Sequence, residues 1–135
     1  MKQKTRIKNK PKGYWVKKLD IVFSRYLRLT YANDFGMSAC YTCSRTLHYK
    51  DLQCGHYISR ANMNTRWDES NCRPQCMQCN VFKKGNYTEY SYRLLKECGE
   101  GELERLNTLK NTIKQWTTVE LKEMIRKYKE KADAF

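Results

Sequence analysis

A chain of 135 residues, 40% hydrophobic and 30% charged, is one small globular domain, neither disordered throughout nor long enough for two full domains. It holds no apolar run approaching the roughly 20 residues of a membrane span, and no apolar segment follows the basic N-terminus as in a signal peptide. The expected location is therefore the compartment of synthesis, without a membrane partner.

The net charge of +13 is uneven. Residues 1–18 carry eight basic side chains and no acid, whereas residues 99–135 carry eight bases against seven acids. A polyanion partner accounts for such an excess, because each phosphate neutralised releases condensed counterions; a solubilising tail is the plainer alternative.

Residues 1–13 read as a basic flexible arm containing Pro11 and Gly13. From Trp15 to about Ala32, Leu19, Val22, Phe23, Tyr26 and Leu27 recur at helical spacing, and Asn33-Asp34-Phe35-Gly36 stops the helix. Residues 37–58 mix β-formers with turn signals and predict short strands forming a ribbon. Residues 59–75 read as an irregular loop closed by Pro74, followed by a short helix from Cys76 to Gly85-Asn86. Three further helices follow. Tyr90, Leu94 and Leu95 mark the first, closed by Gly99; Leu103, Leu106, Leu109 and Ile113 mark the second; the third runs from Thr117, with Glu120 completing a capping box, along Leu121, Met124, Ile125 and Tyr128. The fold class expected is α+β, with a core over residues 14–98 and a helical extension over 99–135 that is a candidate dimer surface.

Seven cysteines, an odd number, do not suit a secreted disulfide scaffold. Their spacing is more telling. Cys40-x-x-Cys43 and Cys76-x-x-Cys79 are two pairs separated by 32 residues between the inner cysteines. A two-residue gap turns both sulfurs of a pair onto one ion, and two pairs complete the tetrahedral shell of a structural Zn²⁺. Thiolates disfavour Mg²⁺ or Ca²⁺ there, and nothing in the chain suggests the electron transfer of an iron–sulfur cluster. Cys54, Cys72 and Cys98 are expected to be thiols, the first two near enough to the motif to enter the metal region.

Between the pairs lie Gln53-Cys54-Gly55-His56-Tyr57 and Asn71, and Asn80 directly follows Cys79. Fourteen residues separate His56 from Asn71, and eight separate Asn71 from Asn80. A neutral imidazole can take a proton from water near neutral pH, and an amide oxygen can hold a hard divalent ion. Each residue also has a plain reading: a satisfied polar histidine, a turn-forming Asn71, a helix-capping Asn80. Taken together the pattern resembles the HNH, or ββα-metal (His-Me finger), nuclease motif. The run Cys54-Gly-His-Tyr, Asp68-Glu-Ser-Asn71, Pro74-Gln-Cys76-x-x-Cys79-Asn80, Lys84-Gly-Asn86 resembles one family more closely, the phage lambda NinG/Rap recombination endonucleases.

That resemblance implies a zinc-bound ββα-metal core and a metal-dependent endonuclease that cuts branched DNA, Holliday junctions included, in the bacterial host cytoplasm. It implies His56 as general base, Asn71 as the residue positioning His56 or its loop, and Asn80, with His56 a second candidate, as a ligand of catalytic Mg²⁺ or Mn²⁺. One departure stands out. Acids that many such nucleases place immediately before the histidine, or three residues before it, are here Gly55 and Gln53. Asp51 is the nearest upstream acid, Asp68 and Glu69 are the nearest downstream, and His48 is a second-choice ligand. Arg45, Lys50, Arg60, Arg66, Arg73, Lys83 and Lys84 surround the motif and are expected to grip phosphates, while Tyr57 and Trp67 stack or pack. A two-fold junction would suit a homodimer. The competing readings are a less selective nicking enzyme on duplex DNA and a non-catalytic zinc module that binds DNA.

Overall fold

The computed structural model describes residues 10–135, so most of the expected basic arm, residues 1–9, lies outside it. Helix α1 (Lys12–Tyr31) starts directly after Pro11, whose carbonyl accepts the Tyr14 N–H at 3.0 Å. Lys12 and Gly13, read as arm, are thus its first turn. Trp15, Leu19, Phe23 and Leu27 are its buried residues, one every four along a single stripe.

The expected ribbon is instead two separate antiparallel pairs. β1 (Met37–Ala39) pairs with β2 (Thr46–His48), and β3 (Gln53–His56) pairs with β4 (Cys72–Gln75) across a loop of fifteen residues. The reading of 59–75 as irregular is corrected at its end, where β4 forms around Pro74. The register explains why proline is tolerated. The Tyr57 N–H donates to the Asn71 carbonyl at 2.8 Å, which marks that pair as hydrogen-bonded. In an antiparallel ladder bonded and non-bonded pairs alternate, so Arg73 and Gln75 take the bonded positions and Pro74, opposite Cys54, does not. The Pro74 carbonyl accepts the Tyr41 N–H at 2.8 Å on the strand's other side.

After β4, a single turn of π-type helix (Gln78–Phe82) replaces the expected α-turns. Helix α2 (Tyr87–Cys98) follows and ends at Gly99, whose φ of +86° suits glycine and whose N–H donates to the Leu95 carbonyl at 3.0 Å. Helix α3 (Glu100–Lys110) stops short of Ile113, which is 92% exposed. Helix α4 (Thr118–Asp133) carries the expected capping box between Thr117 and Glu120.

Two compact units result. The described residues up to Tyr26 form one with Trp116–Phe135. Inside it α1 and α4 run parallel: Lys122 lies over the Trp15 ring, Phe23 meets Tyr128 edge-on at 5.0 Å, and Arg25 pairs with Asp133 at 2.7 Å. Leu27–Gln115 form the other, with both strand pairs, α2 and α3. These units partition the chain differently from the expected arm, 14–98 core and 99–135 extension. The α+β class, with an N-terminal helix, small antiparallel sheets and C-terminal helices, is the architecture observed. No helix among the described residues is long and apolar enough to cross a membrane.

Candidate functional site

The four paired cysteines converge. Cys40 directly follows β1 and opens a turn in which the Cys40 N–H donates to the Arg45 carbonyl at 2.8 Å and the Ser44 N–H to the Cys40 carbonyl at 2.9 Å. Cys76 follows β4 directly, and the Cys79 N–H points at its sulfur at 3.5 Å. The sulfurs of Cys40, Cys43, Cys76 and Cys79 all lie within 4.8 Å of one another. Bonds of about 2.3 Å to a tetrahedral Zn²⁺ place sulfurs roughly 3.8 Å apart; Cys43 Sγ and Cys76 Sγ stand at 3.7 Å. Cys40, Cys76 and Cys79 are fully buried beside Leu52 and Leu47.

The surroundings favour thiolate at Cys40, whereas burial raises the Cys43 and Cys79 thiols. Burial pushes the Cys40 thiol up, but hydrogen bonds from the Cys76, Thr42 and Cys43 backbone and the Thr42 hydroxyl outweigh it and bring the pKa to about 6. Burial, joined by the neighbouring Cys40 and Cys76 thiols, holds Cys43 up at about 12. Donor type, number and spacing fit a structural zinc.

The β3–β4 pair carries the other candidates. Asn71 ends a 3₁₀ turn (Glu69–Asn71) capped by Asp68, and is fully buried. Its Oδ1 accepts the Ile58 N–H at 2.8 Å, and its Nδ2 donates to the Ile58 and Thr65 carbonyls, both at 3.0 Å. The amide thus fixes both ends of the loop that runs from β3 to Thr65. One residue further, the Arg66 carbonyl accepts the His56 Nε2–H at 2.8 Å. Since a carbonyl can only accept, the neutral ring has its proton on Nε2 and its lone pair on Nδ1.

Asn80 sits in the π-turn and donates its Nδ2–H to Gln53 Oε1 at 2.7 Å. Side chains alternate along a strand, so Gln53 and Gly55 leave β3 on one face, Cys54 and His56 on the other. His56 and Asn80 are therefore held on opposite faces by different partners.

Gly55 stands where a side chain has no room. A Cβ there would fall 1.9 Å from Gln75 Oε1. Gln75 is fully buried, anchored by Nε2 to Thr42 Oγ1 at 3.0 Å and to the Gly85 carbonyl at 2.9 Å, while its Oε1 has no hydrogen-bond partner among the described residues. A neutral amide oxygen thus stands on the Gly55 face of the strand, against the position before His56. The Tyr90 hydroxyl, also buried, donates to the Gly55 carbonyl at 2.8 Å. In sequence Tyr90 is only a helix marker and Gln75 has no role of its own; a buried glutamine two residues past Arg73 carries no spacing signal.

Of the expected phosphate contacts, Arg45, Lys50, Arg60, Lys83 and Lys84 are exposed and Arg66 is half-buried over the Trp67 ring. Arg73 is a correction. It is buried, donating to the Glu69 and Cys72 carbonyls, both at 2.8 Å, and lying over the rings of Tyr31 and Tyr41. Its guanidinium is consumed by the turn that presents Asn71. Trp67 is buried, Tyr57 packs tilted against Tyr90 with ring centroids 5.6 Å apart, and His48 Nδ1 accepts the Lys50 N–H at 3.2 Å. Cys98 receives an Arg73 N–H at 3.3 Å.

Comparison with known proteins gives this geometry a lineage. Protein ninG of Escherichia phage lambda is 29% identical over 123 residues, covering 90% of this chain and 57% of the relative. Protein ninG of Escherichia phage 933W is 29% identical over 123 residues, covering 90% and 58%, and that of Enterobacteria phage H19B 31% over 114 residues, covering 84% and 54%. The chain thus spans somewhat more than half the length of these relatives. No solved structure matches it. The family profile described as Bacteriophage Lambda NinG protein matches residues 1–135, and the chain belongs to that family.

Proposed function

We propose that this chain is a metal-dependent endonuclease that hydrolyses phosphodiester bonds of branched DNA, four-way junctions included, during phage recombination. The observation that supports it most is the relay from Asn71 through the Thr65–Arg66 backbone to His56, which fixes the ring in one tautomer. His56 then acts as general base through Nδ1, and Asn71 is its positioning residue. β3, β4 and the turn after Cys76 make the ββα-metal core, with zinc on Cys40, Cys43, Cys76 and Cys79 tying strand to helix.

For the catalytic ion, the Asn80 face offers amide oxygens of Asn80, Gln53 and the unpartnered Gln75, hard neutral donors that suit Mg²⁺ or Mn²⁺. Such an ion, when bound, supplies Lewis-acid stabilisation of the leaving oxygen. Among the described residues β3 is bordered by one strand only, so a phosphodiester laid across its outer edge would face His56 from one side and Asn80 from the other. Arg45, Lys50, Arg60, Arg66, Lys83 and Lys84 supply phosphate contacts without base reading, which suits recognition by shape. A homodimer would place two such sites on a two-fold junction; light scattering of the pure protein tests this.

The deciding experiment incubates labelled four-way junction and linear duplex with Mg²⁺ or Mn²⁺ and either wild type or His56→Ala. Junction cutting by wild type, reduced about 10²–10⁴-fold in the variant, is expected. Equal cutting of both substrates points to a general nicking enzyme. Binding without cutting by wild type refutes the enzyme reading.

A further inference from the structure

Two cysteines stand outside the zinc pairs and beside the histidine. Cys54 and His56 project from the same face of β3, and Cys72 is directly opposite His56 on β4. The His56–Cys72 pair occupies a non-hydrogen-bonded position of the ladder, where facing side chains approach most closely. The two sulfurs and a ring nitrogen of His56 all lie within 4.8 Å of one another. Cys72 is fully buried and Cys54 half-buried. The Arg66 carbonyl accepts from the imidazole at 2.8 Å, the outer support that orients a metal-bound histidine; its 3.8 Å contact from the Cys72 thiol ends when that thiol loses its proton.

We propose that Cys54, His56 and Cys72 form a second site, separate from the four-cysteine cluster, for a thiophilic divalent cation such as Zn²⁺. Two thiolates and one imidazole make a three-ligand set that leaves a fourth position for water or a phosphate oxygen. Binding releases the two thiol protons to solvent and changes no oxidation state. A disulfide is the competing use of the same sulfurs, and the register argues against it. Cys54 faces Pro74, not Cys72, so the cysteines are diagonal neighbours. Diagonal Cα atoms lie roughly 7–8 Å apart, beyond the reach of a strain-free bridge, whereas two bonds of about 2.3 Å to one ion ask only that the sulfurs approach to about 3.8 Å.

An ion held there takes the His56 lone pair. This consequence rests on the reading of His56 as the base, and it makes Zn²⁺ an inhibitor of Mg²⁺-dependent cutting.

The test titrates the full zinc-loaded chain with Zn²⁺ against a chromophoric chelator, in wild type and Cys54→Ser. Wild type is expected to hold about two ions per chain and Cys54→Ser about one, with circular dichroism unchanged. In wild type the second ion should also protect Cys54, and not Cys98, from alkylation by iodoacetamide, a readout that stands even if the variant fails to fold. One ion per wild-type chain, two in a folded Cys54→Ser, or Cys54 alkylated at the same rate with and without excess Zn²⁺ overturns the site. Two ions without loss of cutting would keep the site and refute His56 as the base.

Discussion

Replacing Gly55 by alanine tests the claim that the Gln75 amide occupies the space where a side chain before His56 would stand. The new Cβ would sit 1.9 Å from Gln75 Oε1, so the amide must move. Moving it breaks the bonds from Nε2 to Thr42 Oγ1 and to the Gly85 carbonyl. Two such bonds contribute about 1 kcal/mol each. Crowding a packed interior adds about 1–3 kcal/mol, offset by about 0.4–1 kcal/mol of reduced chain entropy in the unfolded state. The net expectation is a loss of about 2–4 kcal/mol. Gln75→Ala alone removes the same two bonds and should cost about 2–3 kcal/mol, through the Gly85 carbonyl left without its donor. In the double variant the clash has no object, so the losses must not add. Urea unfolding of the zinc-loaded proteins should show the double variant about 3–5 kcal/mol more stable than the sum of the singles predicts, because the two bonds are then lost once and the crowding is absent. Additivity within about 0.5 kcal/mol would refute the argument that Gln75 dictates glycine at 55.

Four other outcomes are expected. Asn71→Ala strands the Ile58 N–H and the Ile58 and Thr65 carbonyls; it should cost about 3–5 kcal/mol in urea unfolding and slow junction cutting more than it weakens junction binding. Arg73→Ala should lower stability by about 3–5 kcal/mol while the salt dependence of DNA binding stays that of wild type, whereas Lys83→Ala should reduce that slope by about one. Removing zinc with a chelator, or Cys76→Ser, should unfold the β1–β4 region cooperatively, read by amide exchange of Leu47 and Leu52. Arg105 bonds Glu102 and holds its carboxyl below the usual range, so this pairing stabilises the fold above the unfolded carboxylate pKa and fades as pH falls through the lower folded value. Arg105→Ala should therefore destabilise by about 1 kcal/mol at most near pH 7, with the difference from wild type shrinking below pH 4.

Much of this was legible in one dimension because its signals are local. The cysteine spacing encodes two turns, the Thr117–Glu120 box encodes a helix start, and the four-residue repeat of Trp15, Leu19, Phe23 and Leu27 encodes a buried stripe. What escaped is set by partners distant in sequence. Residues 72–75 become a strand only because β3 supplies the bonded positions that Pro74 does not need. Arg73 looks like any surface base until a turn and two tyrosine rings close over it. The opposite orientation of His56 and Asn80 follows from strand parity, which a spacing of residues across a fifteen-residue loop does not convey.

The zinc cluster bears on both faces of the strand pair, although it touches neither candidate catalytic side chain directly. Cys76 is the first residue past β4, so an ion there fixes the end of the strand whose other end presents Cys72 to His56. Cys79 immediately precedes Asn80, and Thr42, inside the first cysteine turn, holds the Gln75 amide. With zinc bound, the stiffness of four metal–sulfur bonds would pass along β4 toward the histidine, and through the Thr42–Gln75 hydrogen bond and the Cys79–Asn80 peptide toward the amides. A core this small, with buried side chains divided between two units, has few other means of holding amide and imidazole at fixed positions. In this reading the thiolate cluster is part of the site's geometry, because removing it releases both candidate groups at once.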